Sequence, residues 1–138
     1  MELLPYIDVF LPSEAEALSH TGETDVWRAA GRLASCGPLT VVKCSEKRAI
    51  ALKRNKRWEV GNSDEDVPRL PVVDTIGAGD NFDAGFIRSW LLDCDISSSL
   101  RLGCDCAVRS LRFSGGLRGQ LRQSVGGEIT DTVASTMS

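Results

Sequence analysis

Apolar and polar positions along the chain repeat with two periods, near two and near 3.6 residues, and the switches between them mark out strands and helices. Ile7-Asp8-Val9-Phe10-Leu11 reads as a short strand closed by Pro12. Ser13 then caps a helix, because its hydroxyl suits an orphan amide and Glu16 stands three residues later, the capping-box spacing. Thr21-Gly22 ends that helix. A second helix is predicted from about Asp25 to Cys36, since Val26, Ala29, Ala30, Leu33 and Ala34 share one face and Gly37-Pro38 stops it. Leu39-Thr40-Val41-Val42 is β-branched enough for a buried strand. Ala49–Leu52 and Arg57–Val60 flank Arg54-Asn55-Lys56, which reads as the turn of a hairpin.

Gly61–Arg69 is polar and acidic, hence an exposed loop, and Val72-Val73 is a brief extended stretch leading to Gly77-Ala78-Gly79-Asp80. Phe82, Phe86, Ile87, Trp90 and Leu91 then make a helical stripe. Ser97–Ser99 is expected to cap a last helix from about Leu100 to Phe113, ended by Gly115-Gly116. The small, polar residues 123–138 are expected to fray as a flexible tail. Strands alternating with helices predict an α/β layered domain.

Composition narrows the class. The 138 residues are 42% hydrophobic and 25% charged, ordinary globular values that argue against disorder and coiled coil. That length suits one domain or half of a larger one. Sixteen Lys and Arg against nineteen Asp and Glu, a net charge of −3 without a basic block, give no reason to expect nucleic acid. No apolar run approaches the ~20 residues of a membrane helix. The start, Met1-Glu2-Leu3-Leu4-Pro5, lacks the pattern of a signal peptide, so a cytoplasmic protein without membrane contact is expected. Cys36, Cys44, Cys94, Cys104 and Cys106 are an odd set with no CxxC pair and read as reduced, mostly buried thiols. His20, the one histidine, reads as a surface residue, and Trp27, Trp58 and Trp90 read as core.

Candidate chemistry centres on Gly77-Ala78-Gly79-Asp80, where an extended segment turns into a helix. Glycines let the backbone turn tightly and approach a ligand, and the first helical amides lack internal partners. Together with the helix dipole they make an anion site suited to phosphate. Asp80 at its rim can take a proton from an attacking hydroxyl. The plainer alternative is a glycine-rich turn in which Asp80 caps the helix. The dinucleotide pattern GxGxxG fails because Phe82 holds the third glycine position, and no P-loop is present.

The longer string Asp74-Thr75-Ile76-Gly77-Ala78-Gly79-Asp80-Asn81-Phe82-Asp83-Ala84-Gly85-Phe86-Ile87 closely resembles the C-terminal signature of PfkB (ribokinase-like) carbohydrate kinases. Asp8-Val9-Phe10-Leu11-Pro12 is similar to the strand before that family's magnesium-linked motif, and Gly115-Gly116 to the turn after its late helix. The resemblance implies a Rossmann-like αβα sandwich of the ribokinase-like type, truncated at the N-terminal side, with residues 1–122 as its nucleotide-side part. It implies ATP as phosphoryl donor, Mg2+ as cofactor and a sugar or nucleoside as acceptor. By the same resemblance Asp80 matches the catalytic base, and the amides of Gly77, Ala78 and Gly79 match the anion hole. Glu16 matches the glutamate of an N-x-x-E motif that organises magnesium, with Ser13 at the asparagine position. Asp74, Ile76 and Gly116 fall near positions whose carbonyls hold a monovalent cation such as K+ in some members.

Two local departures and one large one accompany these matches. Ser13 is shorter than asparagine and lacks its amide. Where the family has K-x-G-x-x-G, Lys43-Cys44-Ser45-Glu46-Lys47-Arg48 lacks both glycines, and Arg48 is placed either to pair with phosphate or to block the ribose. The family's N-terminal half, which carries the sugar-binding glycines and lid strands, has no counterpart in these residues. A rival reading is therefore a non-catalytic fragment or pseudokinase that keeps the anion loop, and a homo-oligomer or a separate N-terminal half is the expected partner.

Overall fold

The computed structural model describes residues 2–44, 48–61 and 77–111. A 3-10 turn over Leu4–Tyr6 leads to β1 (Val9–Phe10), α1 (Glu14–Thr21), α2 (Val26–Ala34), β2 (Leu39–Lys43), β3 (Ala49–Lys53), β4 (Lys56–Val60), α3 (Ala78–Leu91) and α4 (Ile96–Ser110). The four strands form one sheet in the order β1-β2-β3-β4. β1 and β2 are parallel, with Val9 opposite Leu39, and β2, β3 and β4 continue as an antiparallel meander.

Strand alternation supplies two cores. Val42, Ile50 and Leu52 face α1 and α2 and pack with Ala17, Ala29, Ala30 and Leu33. Leu39, Val41, Ala49 and Ala51 point the other way, onto Phe82, Phe86 and Leu100 of α3 and α4. Pairing in register keeps each face consistent, since Val41 lies opposite Ala51 and Val42 opposite Ile50. Helices on both faces of a sheet make the three-layer αβα arrangement.

The ends of the elements follow local chemistry. Ser13 and Glu16 form a complete capping box, and Gly22, at φ 71°, closes α1 in the left-handed conformation that glycine adopts without a Cβ penalty. The hairpin turn is tighter than the three residues read from sequence: Lys53 pairs with Lys56, leaving Arg54-Asn55, with Arg54 at φ 53°. α2 ends at Ala34, short of Cys36. The cap of α4 is Asp95 rather than Ser97–Ser99, because its carboxylate accepts from the Ser98 amide at 3.0 Å and the Ser98 hydroxyl at 2.6 Å. That pair of hydrogen bonds starts the helix one turn earlier than the serine run alone suggests.

Cys36, Cys44, Cys104 and Cys106 are half-buried and Cys94 is exposed, so the expectation of mostly buried thiols is corrected. Trp27, Trp58 and Trp90 sit partly buried at the margins of the two cores. Arg57 lies 5.3 Å from the Trp27 ring centroid. α4 ends at Ser110, with Leu111 as its C-cap, short of the expected Phe113. The expected loop after Gly61, the extended Val72-Val73, Gly115-Gly116 and the tail lie outside the described residues. No described helix is long and apolar enough to cross a membrane.

Candidate active site

Three segments meet at the carboxyl ends of the parallel strands, where open α/β sheets place their ligands. The Lys43 amide donates to the Pro12 carbonyl at 2.9 Å, and a parallel bridge joins Ser13 to Lys43. The start of α1 therefore lies beside the end of β2. From the other face, the start of α3 is tied to the same point, because Lys43 Nζ donates to Asp83 Oδ2 at 2.9 Å.

Gly77 stands at the N-cap of α3 with φ 82° and no side-chain cap. This is the position in the motif that demands glycine, since an L side chain is strained there. Gly79 is not in that region; its open face instead looks at Lys43, whose Nζ would lie 3.8 Å from an added Cβ. The first bond of the helix runs from the Asn81 amide to the Gly77 carbonyl at 2.9 Å, and the Asn81 side chain accompanies it at 2.8 Å. The amides of Ala78, Gly79 and Asp80 precede that bond and so have no partner within the helix.

Asp80 is exposed, and its carboxylate makes no hydrogen bond among the described residues. The reading of Asp80 as a helix cap is thereby corrected: the cap is Gly77, and the Asp80 carboxylate is unengaged in the first turn. Glu16 approaches from α1. The Ser13 amide and hydroxyl both donate to its Oε2, at 2.7 and 2.8 Å. Those bonds, helped by the Lys43 charge, hold the Glu16 carboxyl below its ordinary value. Burial pushes Asp83 above its ordinary value, against the pull of Lys43 and with the push of Asp80 and Glu16.

A cavity of about 180 Å³ adjoins this point, walled by Cys44, Arg48, Gly79, Phe82, Cys104 and Leu111. Arg48 Nε donates to Glu59 Oε1 at 2.6 Å, which engages the guanidinium at the cavity wall. Burial raises the Cys44 and Cys104 thiols to about 11, so both are neutral near pH 7 and neither is a thiolate nucleophile. The described residues hold no cluster of three or more His, Cys, Asp or Glu suited to bind a metal by themselves.

Of the residues singled out from sequence, Ser13, Glu16, Gly77, Ala78, Gly79 and Asp80 are brought to this one end of the sheet. Asp74, Ile76 and Gly116 lie outside the described residues. Asp83 carried no role in the sequence reading, and Lys43 entered it only as the first residue of the loop that lacks both glycines. The available signal for Asp83 was its spacing three residues after Asp80, which puts both on one helix face.

Residues 1–118 match the pfkB family of carbohydrate kinases. Fructoselysine 6-kinase of Shigella flexneri is 30% identical over 116 residues, covering 82% of this chain and 40% of that protein. Among solved structures, adenosine kinase from Sinorhizobium meliloti superposes with a TM-score of 0.73 at 29% identity, covering 90% of this chain and 39% of that one. Arabidopsis thaliana ribokinase, solved with ribose and ATP, gives a TM-score of 0.72 at 27% identity, covering 86% and 39%. The chain thus spans about two fifths of the length of the relatives it matches. Its signature, its αβα layering and the match over most of its length agree: the chain belongs to the pfkB carbohydrate kinase family.

Proposed function

We propose that this chain is the nucleotide-side part of an ATP-dependent carbohydrate kinase, with Asp80 as the base that deprotonates the acceptor hydroxyl. The observation that carries this reading is the Asp80 carboxylate, unengaged in the first turn of α3 beside amides that lack helical partners. Phosphoryl transfer asks the protein for alignment, charge stabilisation and a base, and these groups supply the last two. The backbone at Gly77, Ala78 and Gly79 steadies charge on the transferring phosphoryl group, helped by the positive end of the helix. The adjoining cavity takes the nucleotide base.

Magnesium suits this site in one specific way. It keeps several waters and is usually held through one or two carboxylates plus phosphates. Glu16 is exposed, and its Oε1 makes no hydrogen bond among the described residues, which leaves an oxygen for a metal-bound water. Ser13 acts by orienting Glu16, since its hydroxyl is taken up in the capping box. Magnesium, when bound, supplies charge neutralisation between the donor phosphates. A monovalent cation at the carbonyls of Asp74, Ile76 and Gly116 belongs to the same reading by resemblance.

A nucleoside acceptor is the second reading, favoured by the likeness to adenosine kinase. Calorimetric titration with MgATP, followed by a sugar and nucleoside panel scored for ADP release, tests both. The expected outcome for the 138 residues alone is MgATP binding without useful turnover, because acceptor alignment is worth ~7–11 kcal/mol and comes from the N-terminal half. Robust acceptor-dependent turnover by the monomer would put the acceptor site within these residues. Absence of nucleotide binding would contradict the kinase reading itself.

A further inference from the structure

We infer that Cys44 and Cys104 together form a binding site for one soft, monovalent cation of the copper(I) type, held between their two sulfurs. Cys44 follows β2 and packs against the core on the α1 and α2 side, whereas Cys104 stands on α4 and packs against the other core. Both nevertheless wall the same cavity of about 180 Å³. They are near enough that Cys44 acts electrostatically on Cys104.

The other cysteines are placed differently. Cys94 is exposed, and Cys36 Sγ lies 3.6 Å from the Arg32 carbonyl at the end of α2. Cys106 is two residues from Cys104, a spacing that puts side chains on different faces of a helix. It is turned to α3, where a Cβ on Gly85 would stand 2.8 Å from its sulfur. The pairing therefore runs across the cavity and not along α4.

The donor set selects the ligand. Structural zinc and iron–sulfur clusters take four protein ligands, whereas this cavity offers two thiols among apolar walls that include Phe82, Val108 and Leu111. Thiolates favour copper(I) over hard, oxygen-seeking ions such as Mg2+, so this site does not compete with Glu16 for magnesium. Burial holds both thiols neutral near pH 7; at Cys44 the charges of Glu14 and Glu59 add to that push and Arg48 opposes it. Binding thus releases two protons: each S–H bond breaks as a sulfur–copper bond forms, and the copper stays monovalent. The ion would fill the space that the kinase reading gives to the nucleotide base, so it and MgATP should exclude one another. That last consequence alone rests on the kinase reading.

Anaerobic titration of the full chain with copper(I), in competition with a chromophoric copper(I) chelator, tests the site. One equivalent should bind per chain. Cys44→Ala and Cys104→Ala should each weaken it by roughly 10²–10⁴-fold, the loss expected when two linked contacts become one, and the double variant should be little worse than either. Cys36→Ala and Cys94→Ala should bind as the wild type does. Phenylarsine oxide needs no variant: its arsenic bonds two thiols with loss of one water, and peptide mapping of the labelled wild type should find it bridging Cys44 and Cys104. A wild type that binds no copper(I), affinity that survives both substitutions, an equal loss in Cys94→Ala, or arsenic bridging another pair would each overturn the inference. Copper affinity lost in both cavity variants yet unmoved by saturating MgATP would support the metal site and overturn the placing of the nucleotide base in this cavity.

Discussion

Asp80→Asn, in a complete or complemented enzyme, should lower turnover by roughly 10²–10⁴-fold, the usual worth of a general base. Asparagine keeps the shape of the side chain but cannot accept the proton. The fold should not suffer, because Asp80 is exposed and its carboxylate makes no hydrogen bond among the described residues. ATP affinity should change little, since the amides of the first turn are backbone and remain in place. Steady-state kinetics beside an ATP titration separate these effects. Near-normal turnover would mean that another group removes the proton.

The second large effect is on stability. Gly103→Val should destabilise the protein by roughly 1–3 kcal/mol, the range for overpacking a filled core. A Cβ at Gly103 would lie 2.9–3.0 Å from the Phe82 ring, closer than carbon atoms pack. Phe82 is held on this side: it is 4% exposed and stacks on Phe86, whose ring centroid is 6.3 Å away. α3 and α4 must therefore separate, or Phe82 must leave the wall of the cavity. Gly31→Ala is the control, because its Cβ would meet only Leu52 at 3.9 Å and alanine favours the helix. Thermal melts should show a clear drop for Gly103→Val and none for Gly31→Ala. An unchanged midpoint for Gly103→Val would refute this account of how α3 is held.

Local signals made much of this architecture legible. Ser13 and Glu16 announced their capping box because both partners lie within four residues. The meander could be read because Leu39–Val42 and Ala49–Leu52 are strongly β-branched or apolar and a polar turn follows them. Boundaries were less certain where several residues compete for one job. Three consecutive serines drew the start of α4 toward residues 97–99, whereas Asp95 forms the stronger, charged cap. The motif pointed to the Gly77–Gly79 turn, but not to which glycine is indispensable, since that depends on the φ of Gly77 rather than on composition. Nothing local links Lys43 to Asp83; only the meeting of β2 with α3 creates that pair.

The central claim is that phosphate binds at the first turn of α3. Amide NMR during titration with MgATP, and separately with adenosine, reads that turn directly. The account predicts that the amides of Gly77, Ala78 and Gly79 shift most with MgATP and stay nearly unmoved with adenosine. MgATP binding that leaves those three amides unchanged would contradict it.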